Sequence, residues 1–266
     1  MEKLKNQLLG VTSGRNFREL GGYETLSGKR IKFHKLLRTG HLADLSEADQ
    51  AFLADYGVKY IVDFRSSEEV TRQPDRVPEG ATYEFDPVFS EDLTNSSKSI
   101  DRLDELSQND AQFGFDHMLI AYEDMISSES ARNAYRKLFA TMLANSAENE
   151  ALIFHCTAGK DRTGFGALLA LTALGVPLAT IREDYLLTRI TTKDFVEHLI
   201  EKERQAGKNE NTLKSIYDIQ TVYPEYLDHA IKVINDSYGS VNDYLREIMH
   251  LSSGDLMDLR RIYLEK

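Results

Sequence analysis

The chain has a single cysteine, Cys156, and the residues around it are chemically active types. It lies in LIFHCTAGKDRTG (residues 152–164), where an apolar run ends at His155 and Arg162 follows Cys156 six positions on. The pattern predicts a strand up to His155, a turn starting at Cys156 and a helix starting near Arg162. Two of the five intervening residues, Ala158 and Gly159, are small, and Gly159 permits backbone conformations that a side chain hinders. A loop curled this way points several backbone N–H groups inward, and the helix start adds unpaired N–H groups and a positive dipole end. Such a cradle binds a phosphate-sized dianion and stabilises a thiolate at its centre.

The chemistry follows from the residue types. A Cys156 thiolate attacks phosphorus in line, and an alcohol or phenol leaves. The Arg162 fork and the loop residues Thr157, Ala158, Gly159, Lys160, Asp161 and Thr163 bind the phosphoryl oxygens. Lys160 is expected as a second cation at the rim, and the Thr163 hydroxyl as a donor to the thiolate. His155 is expected to support the loop by hydrogen bonding to backbone. A phosphocysteine forms and water hydrolyses it. Asp161 leads as the proton donor to the leaving group, with a salt bridge or a charge at the helix amino terminus as its other reading and Asp86, Glu91 and Asp92 as runners-up. An Arg six residues after a cysteine arises by chance about one time in twenty. The strand, His155, Gly159, Thr163-Gly164 and the following helix together make the pattern specific. Two other readings use the same loop: a catalytically silent phosphate-binding module and a sulfurtransferase.

No metal or other cofactor is called for. The seven histidines are scattered without metal-ligand spacing, and one cysteine excludes a disulfide framework or a multi-cysteine metal site. The formal charge of −11 argues against a nucleic-acid partner and against general attraction to anionic membranes. An anionic substrate must therefore be met by a local field. The amino-terminal residues lack a secretory apolar core, and the longest apolar stretch is too short to span a bilayer. Cytoplasmic residence is the default expectation, and the sequence carries no sign of oligomeric state.

The elements that must position the loop are legible in outline. KLLRTG (residues 35–40), VKYIVDF (58–64), ATYEFDPV (81–88) and ALIF (151–154) read as strands. LSEADQAFLADYG (45–57) reads as a helix, with Ser46 and Asp49 as a capping box and Gly57 as its terminator. Strand, helix, strand at this spacing predicts an α/β domain with a mainly parallel sheet flanked by helices. Residues 177–266 read as a helical carboxyl-terminal part of the same domain, which spans 1–266. The polar, acidic segment at 90–116 is an insertion or a lid. Asn16, Arg18 and Arg65, near the predicted strand ends, either form structural ion pairs, the favoured reading, or brace the loop from behind. KRIKFHK (29–35) is a basic cluster that fits a hairpin face or an acidic lipid surface.

HCTAGKDRTG matches H-C-x-x-G-x-x-R-[ST], and the chain resembles the cysteine-dependent protein tyrosine phosphatases. More narrowly, it is similar to atypical bacterial and fungal members that also accept phosphoinositides. NFRELGGY (16–23), LLRTG (36–40), VDFRSSEE (62–69) and DYLLT (184–188) resemble further segments of that subgroup. Glu19 and Thr39 stand where the subgroup usually has Asp and Ser. The resemblance implies a phosphatase α/β fold with a helical lid, Cys156 as nucleophile and Arg162 as phosphate clamp. It associates Lys160 with lipid headgroup phosphates. The implied substrates are phosphorylated proteins or phosphoinositides, with a membrane surface involved only if the substrate is lipid. The family's Trp-Pro-Asp acid loop is absent in its usual form, since the chain has no tryptophan.

Overall fold

The computed structural model describes residues 9–90 and 105–266. Its sheet has five strands: β1 (Arg18–Glu19), β2 (Leu36–Thr39), β3 (Val58–Asp63), β4 (Thr82–Phe85) and β5 (Ala151–His155). Their spatial order is β1-β2-β5-β3-β4, with β1 antiparallel to β2 and the other pairings parallel. The expected strands are all present and the sheet is mainly parallel. The last strand in sequence lies at its centre, which is why ALIFH is buried along its whole length.

Side-chain alternation along β5 divides the interior in two. Leu152 and Phe154 face the larger core, and Ala151 and Ile153 the smaller. The smaller core packs against α1 (Glu47–Asp55) through Leu53 and lies beneath Phe17 and Leu42. The larger core is roofed by α3 (Phe113–Ser127), α4 (Glu129–Ala144) and α5 (Arg162–Leu174). Onto these pack α6 (Leu178–Thr191), α7 (Lys193–Gln205), α8 (Glu210–Gln220), α9 (Pro224–Tyr238), α10 (Val241–Glu247) and α11 (Ser253–Tyr263). The second half is helical, as its 3.6-residue periodicity predicts. No helix among the described residues is long and apolar enough to cross a membrane.

Two local expectations change. Ser46 caps α1 by accepting from the Asp49 amide, but Asp49 does not complete the box. Its carboxylate instead accepts from the Thr12 and Ser13 amides, and Ser13 Oγ takes the Ser46 N–H. Asp49 therefore ties the amino-terminal segment to α1. A full capping box occurs one helix later, at Ser66 and Glu69 of α2 (Ser67–Arg72). In the segment marked as insertion or lid, residues from Phe113 onward belong to α3, and 91–104 lie outside the described residues.

Strand register places the site. Thr39, His155 and Asp63 are paired side by side at the carboxyl ends of β2, β5 and β3. The chain leaves all three strands at one edge of the sheet, where open α/β sheets bind ligands.

Candidate active site

Residues 156–161 connect β5 to α5 as a loop whose carbonyls are held outward. The Cys156 carbonyl is 3.2 Å from His155 Nδ1, and the Thr157 carbonyl accepts the His41 amide at 3.0 Å. Asn16 Nδ2 donates to the carbonyls of Ala158 and Gly159 at 3.0 and 2.9 Å. Arg38 Nη2 donates to Gly159 at 3.0 Å and to Lys160 at 3.5 Å. In a planar trans peptide the N–H points opposite to the C=O. Five successive amides, from Thr157 to Asp161, therefore face the concave side, and among the described residues they donate to no protein acceptor. The amino terminus of α5 adds its own unpaired N–H groups there.

Gly159 is required at its position. Its φ is +68°, and a Cβ there would lie 2.3 Å from the Thr39 carbonyl oxygen. The loop is pressed against the end of β2.

Behind the loop is a fully buried ionic network. Arg18 Nε is 2.9 Å from Asp184, Arg38 ion-pairs with the other oxygen of the same carboxylate, and Tyr23 donates its hydroxyl to it at 3.0 Å. Arg18 also donates to Asn16 Oδ1, so the Asn16 amide is fixed with its NH₂ toward the loop. Burial alone would raise the Asp184 pKa; Arg18 and Arg38 outweigh it and hold the carboxyl below its ordinary value. Two guanidiniums against one carboxylate leave a net positive charge behind an anion cradle in an acidic protein.

Arg162 is buried and chelated by Glu69, Nη1 to Oε2 at 2.7 Å and Nη2 to Oε1 at 2.8 Å. Glu69 also accepts the Ser66 amide at 2.9 Å and the Thr157 hydroxyl. Burial pushes its carboxyl up, but Arg162 and these donors bring the pKa down to about 2. One carboxylate thus links α2, the loop and the first turn of α5.

Lys160 is not at an open rim. Its side chain is 1% exposed. Its ammonium is bonded to the carbonyls of Ile219 and Thr221 at the carboxyl end of α8 and lies 2.8 Å from Asp161. Asp161 is 2% exposed; its other oxygen accepts the Tyr122 hydroxyl at 3.1 Å, and Tyr122 is 2.7 Å from the Tyr185 hydroxyl. The expected hydrogen bond from Thr163 to Cys156 is not formed: Thr163 Oγ1 is buried without a partner among the described residues. Cys156 itself is 2% exposed.

His155, at the start of the loop, lies in a buried cluster. Its Nε2 is 3.1 Å from Asp75 and its Nδ1 3.8 Å from Asp63. Burial alone would lower the imidazole pKa; Asp63 and then Asp75 raise it above the ordinary histidine value. The three groups lie within 4.8 Å of one another, a spacing that can hold a cation. The Arg65 guanidinium supplies one, at 2.7 Å from Asp63 and 2.9 Å from Asp75.

The comparisons with known proteins fit this geometry. Residues 9–265 match the tyrosine phosphatase family. The chain belongs to that family. A Cupriavidus necator protein provisionally named a tyrosine-protein phosphatase is 31% identical over 94% of this chain and 85% of its own length. The triple specificity protein phosphatase PtpB of Mycobacterium tuberculosis is 27% identical over 87% of this chain and 90% of its own. A tyrosine-protein phosphatase of Nostoc commune is 30% identical over 57% and 47%.

Within this phosphatase, Asn16 bonds the loop carbonyls directly, while Arg18 and Arg65 sit in buried ion pairs, Arg18 also bonded to Asn16 and Arg65 to the His155 cluster. Asp86 follows β4 directly; its amide donates to the Asp63 carbonyl at 2.9 Å and its carboxylate ion-pairs with Lys137 of α4. Glu91 and Asp92 lie outside the described residues. Glu19 is buried and accepts the amides of Gly21 and His34, while Thr39 donates to the Arg15 carbonyl. Four residues without an assigned role in the sequence reading prove structural to the site: Arg38, Glu69, Asp75 and Asp184. All but Asp75 stand within segments quoted for the family resemblance.

Proposed function

We propose that this phosphatase hydrolyses phosphomonoesters through a phosphocysteine on Cys156. The observation that carries this reading is the set of five inward amides beside Cys156 and Arg162, backed by the net positive Arg18–Arg38–Asp184 network. The amides and Arg162 take the three non-bridging oxygens, whose charge grows as the bond to the leaving oxygen breaks. Glu69 fixes the plane of the guanidinium before substrate arrives, so little reorganisation remains at the moment of reaction. The His155–Asp63–Asp75–Arg65 cluster holds the start of the loop at the end of β5.

Asp161 remains the proposed proton donor. It is the acidic side chain of the loop itself, and re-aiming it means leaving Tyr122 and Lys160. Lys160, in the position found, ties the loop to α8; contact with a second phosphate of a lipid headgroup requires its release from Ile219 and Thr221.

For substrate we propose phosphotyrosine first, with phosphoserine, phosphothreonine and phosphoinositides as further candidates. The similarity to a protein named for triple specificity supports the wider set. Turnover of a phosphotyrosine peptide, a phosphoserine peptide and a short-chain phosphoinositide by the same preparation tests this. Hydrolysis of the tyrosine peptide is expected. Release of phosphate from neither peptide, with the lipid hydrolysed, would reverse the assignment.

A further inference from the structure

At the far end of α5 from Arg162 is a groove of about 540 Å³ that the phosphatase reaction does not use. Leu174, the last residue of α5, lines it; at 1.5 Å rise per residue it is about 18 Å from Arg162 along the axis. One wall is a hairpin closed by the Glu24–Arg30 bridge and by the Thr25 amide donating to the Lys29 carbonyl at 2.8 Å. Its tip is pinned, Leu26 N–H donating to the Gly175 carbonyl at 2.8 Å. The other wall is α11 and the residues after it. They are joined to the hairpin side by the Ile31–Leu264 bridge and by Glu265 N–H to the Arg30 carbonyl at 2.8 Å. Backbone bonds therefore fix the shape of the groove.

Its chemistry is that of an amphiphile site. Leu26, Leu174, Met257 and Leu264 give apolar surface, with Leu26 81% and Met257 67% exposed. Of its charged lining residues five are basic and one, Glu265, is acidic, in a chain of net charge −11. Three of the cations are partly committed. Arg260 caps the Ala173 carbonyl, Lys32 the Ile262 carbonyl, and Arg261 pairs with Asp258 at 3.0 Å. Lys29 has no ion-pair partner among the described residues.

We propose that this groove binds one amphipathic anion, an unbranched acyl chain ending in a carboxylate, with the chain along the leucines and Met257 and the head at Lys29. The volume is in the range of small-ligand sites, and a concave apolar floor with a few charged groups at its rim is their usual composition. The concavity between hairpin and helix favours a single inserted chain over a flat bilayer, and the basic rim favours an anion over a neutral hydrocarbon.

Isothermal titration of the full chain with dodecanoate below its micelle concentration tests this, with dodecanol and phosphatidylglycerol vesicles as comparison ligands. The expected result is one site with a Kd of about 1 mM or tighter. Lys29→Glu and Met257→Glu should each weaken it about tenfold, and dodecanol should bind more weakly. Both variants should hydrolyse p-nitrophenyl phosphate at the unaltered rate, which certifies their fold. The proposal is overturned by absence of saturable binding or by binding indifferent to both substitutions. Binding of vesicles without monomeric dodecanoate would also overturn it and make the surface a membrane contact.

Discussion

Glu69 grips Arg162 with both carboxylate oxygens, at 2.7 and 2.8 Å, while its own position is fixed by the capping box of α2. The residue that orients the phosphate-binding guanidinium is thus itself oriented by a helix start. Glu69→Gln keeps the shape and removes the charge. Turnover of an aryl phosphate should fall by roughly 10–100-fold, the usual effect of losing a group that orients a ligand-binding side chain. The pH dependence has a definite sign. The folded-state pKa of about 2 lies below the ordinary value of 4.5, so the pair stabilises the fold fully above about pH 4.5. That stabilisation is lost as the pH falls toward 2. Melting temperatures of wild type and Glu69→Gln should converge over that window; a constant gap would mean that the charge of Glu69 is not what stabilises.

If Asp161 delivers the proton, its loss should hurt most where the leaving group is most basic. Asp161→Asn should slow phenyl phosphate by about 100-fold or more and p-nitrophenyl phosphate far less. Equal losses on the two substrates would assign Asp161 to the structural contacts with Tyr122 and Lys160 alone.

Lys160 gives a prediction against its expected lipid role. Its ammonium satisfies two buried carbonyls and lies beside a buried carboxylate. Lys160→Ala should lower stability by about 3–5 kcal/mol, the range for breaking a buried pair from one side. It should reduce turnover of phosphotyrosine peptide and phosphoinositide by similar factors. Loss confined to the phosphoinositide, with an unshifted melting temperature, would show that the lysine leaves α8 to meet a headgroup.

The sequence carried the local parts of this site and lost the long-range ones. The loop was readable because its signals lie within thirteen residues: an apolar strand, a cysteine, a glycine with positive φ and a helix start. The strands were readable from short apolar runs with turn residues at their ends. Arg38 and Asp184 are 146 positions apart and meet only because β2 and α6 both pack beside the loop. No periodicity reports such a pairing, although both residues stood within quoted family segments. Asp49 shows the opposite error. Its spacing from Ser46 fits a capping box, yet the carboxylate bonds to Thr12 and Ser13, which tertiary packing brought near. Buried lysines are rare, so sequence alone points Lys160 to the rim. The carbonyls at the end of α8 that accept its protons lie about sixty residues away.

Everything in this site serves a covalent intermediate on Cys156. Rapid acid quench during turnover of an aryl phosphate, followed by peptide mass spectrometry, tests it most directly. A phosphoryl group is expected on the peptide carrying Cys156 and absent in Cys156→Ser, which should also lose hydrolysis. Full turnover in Cys156→Ser, or phosphate trapped on another residue, would contradict it.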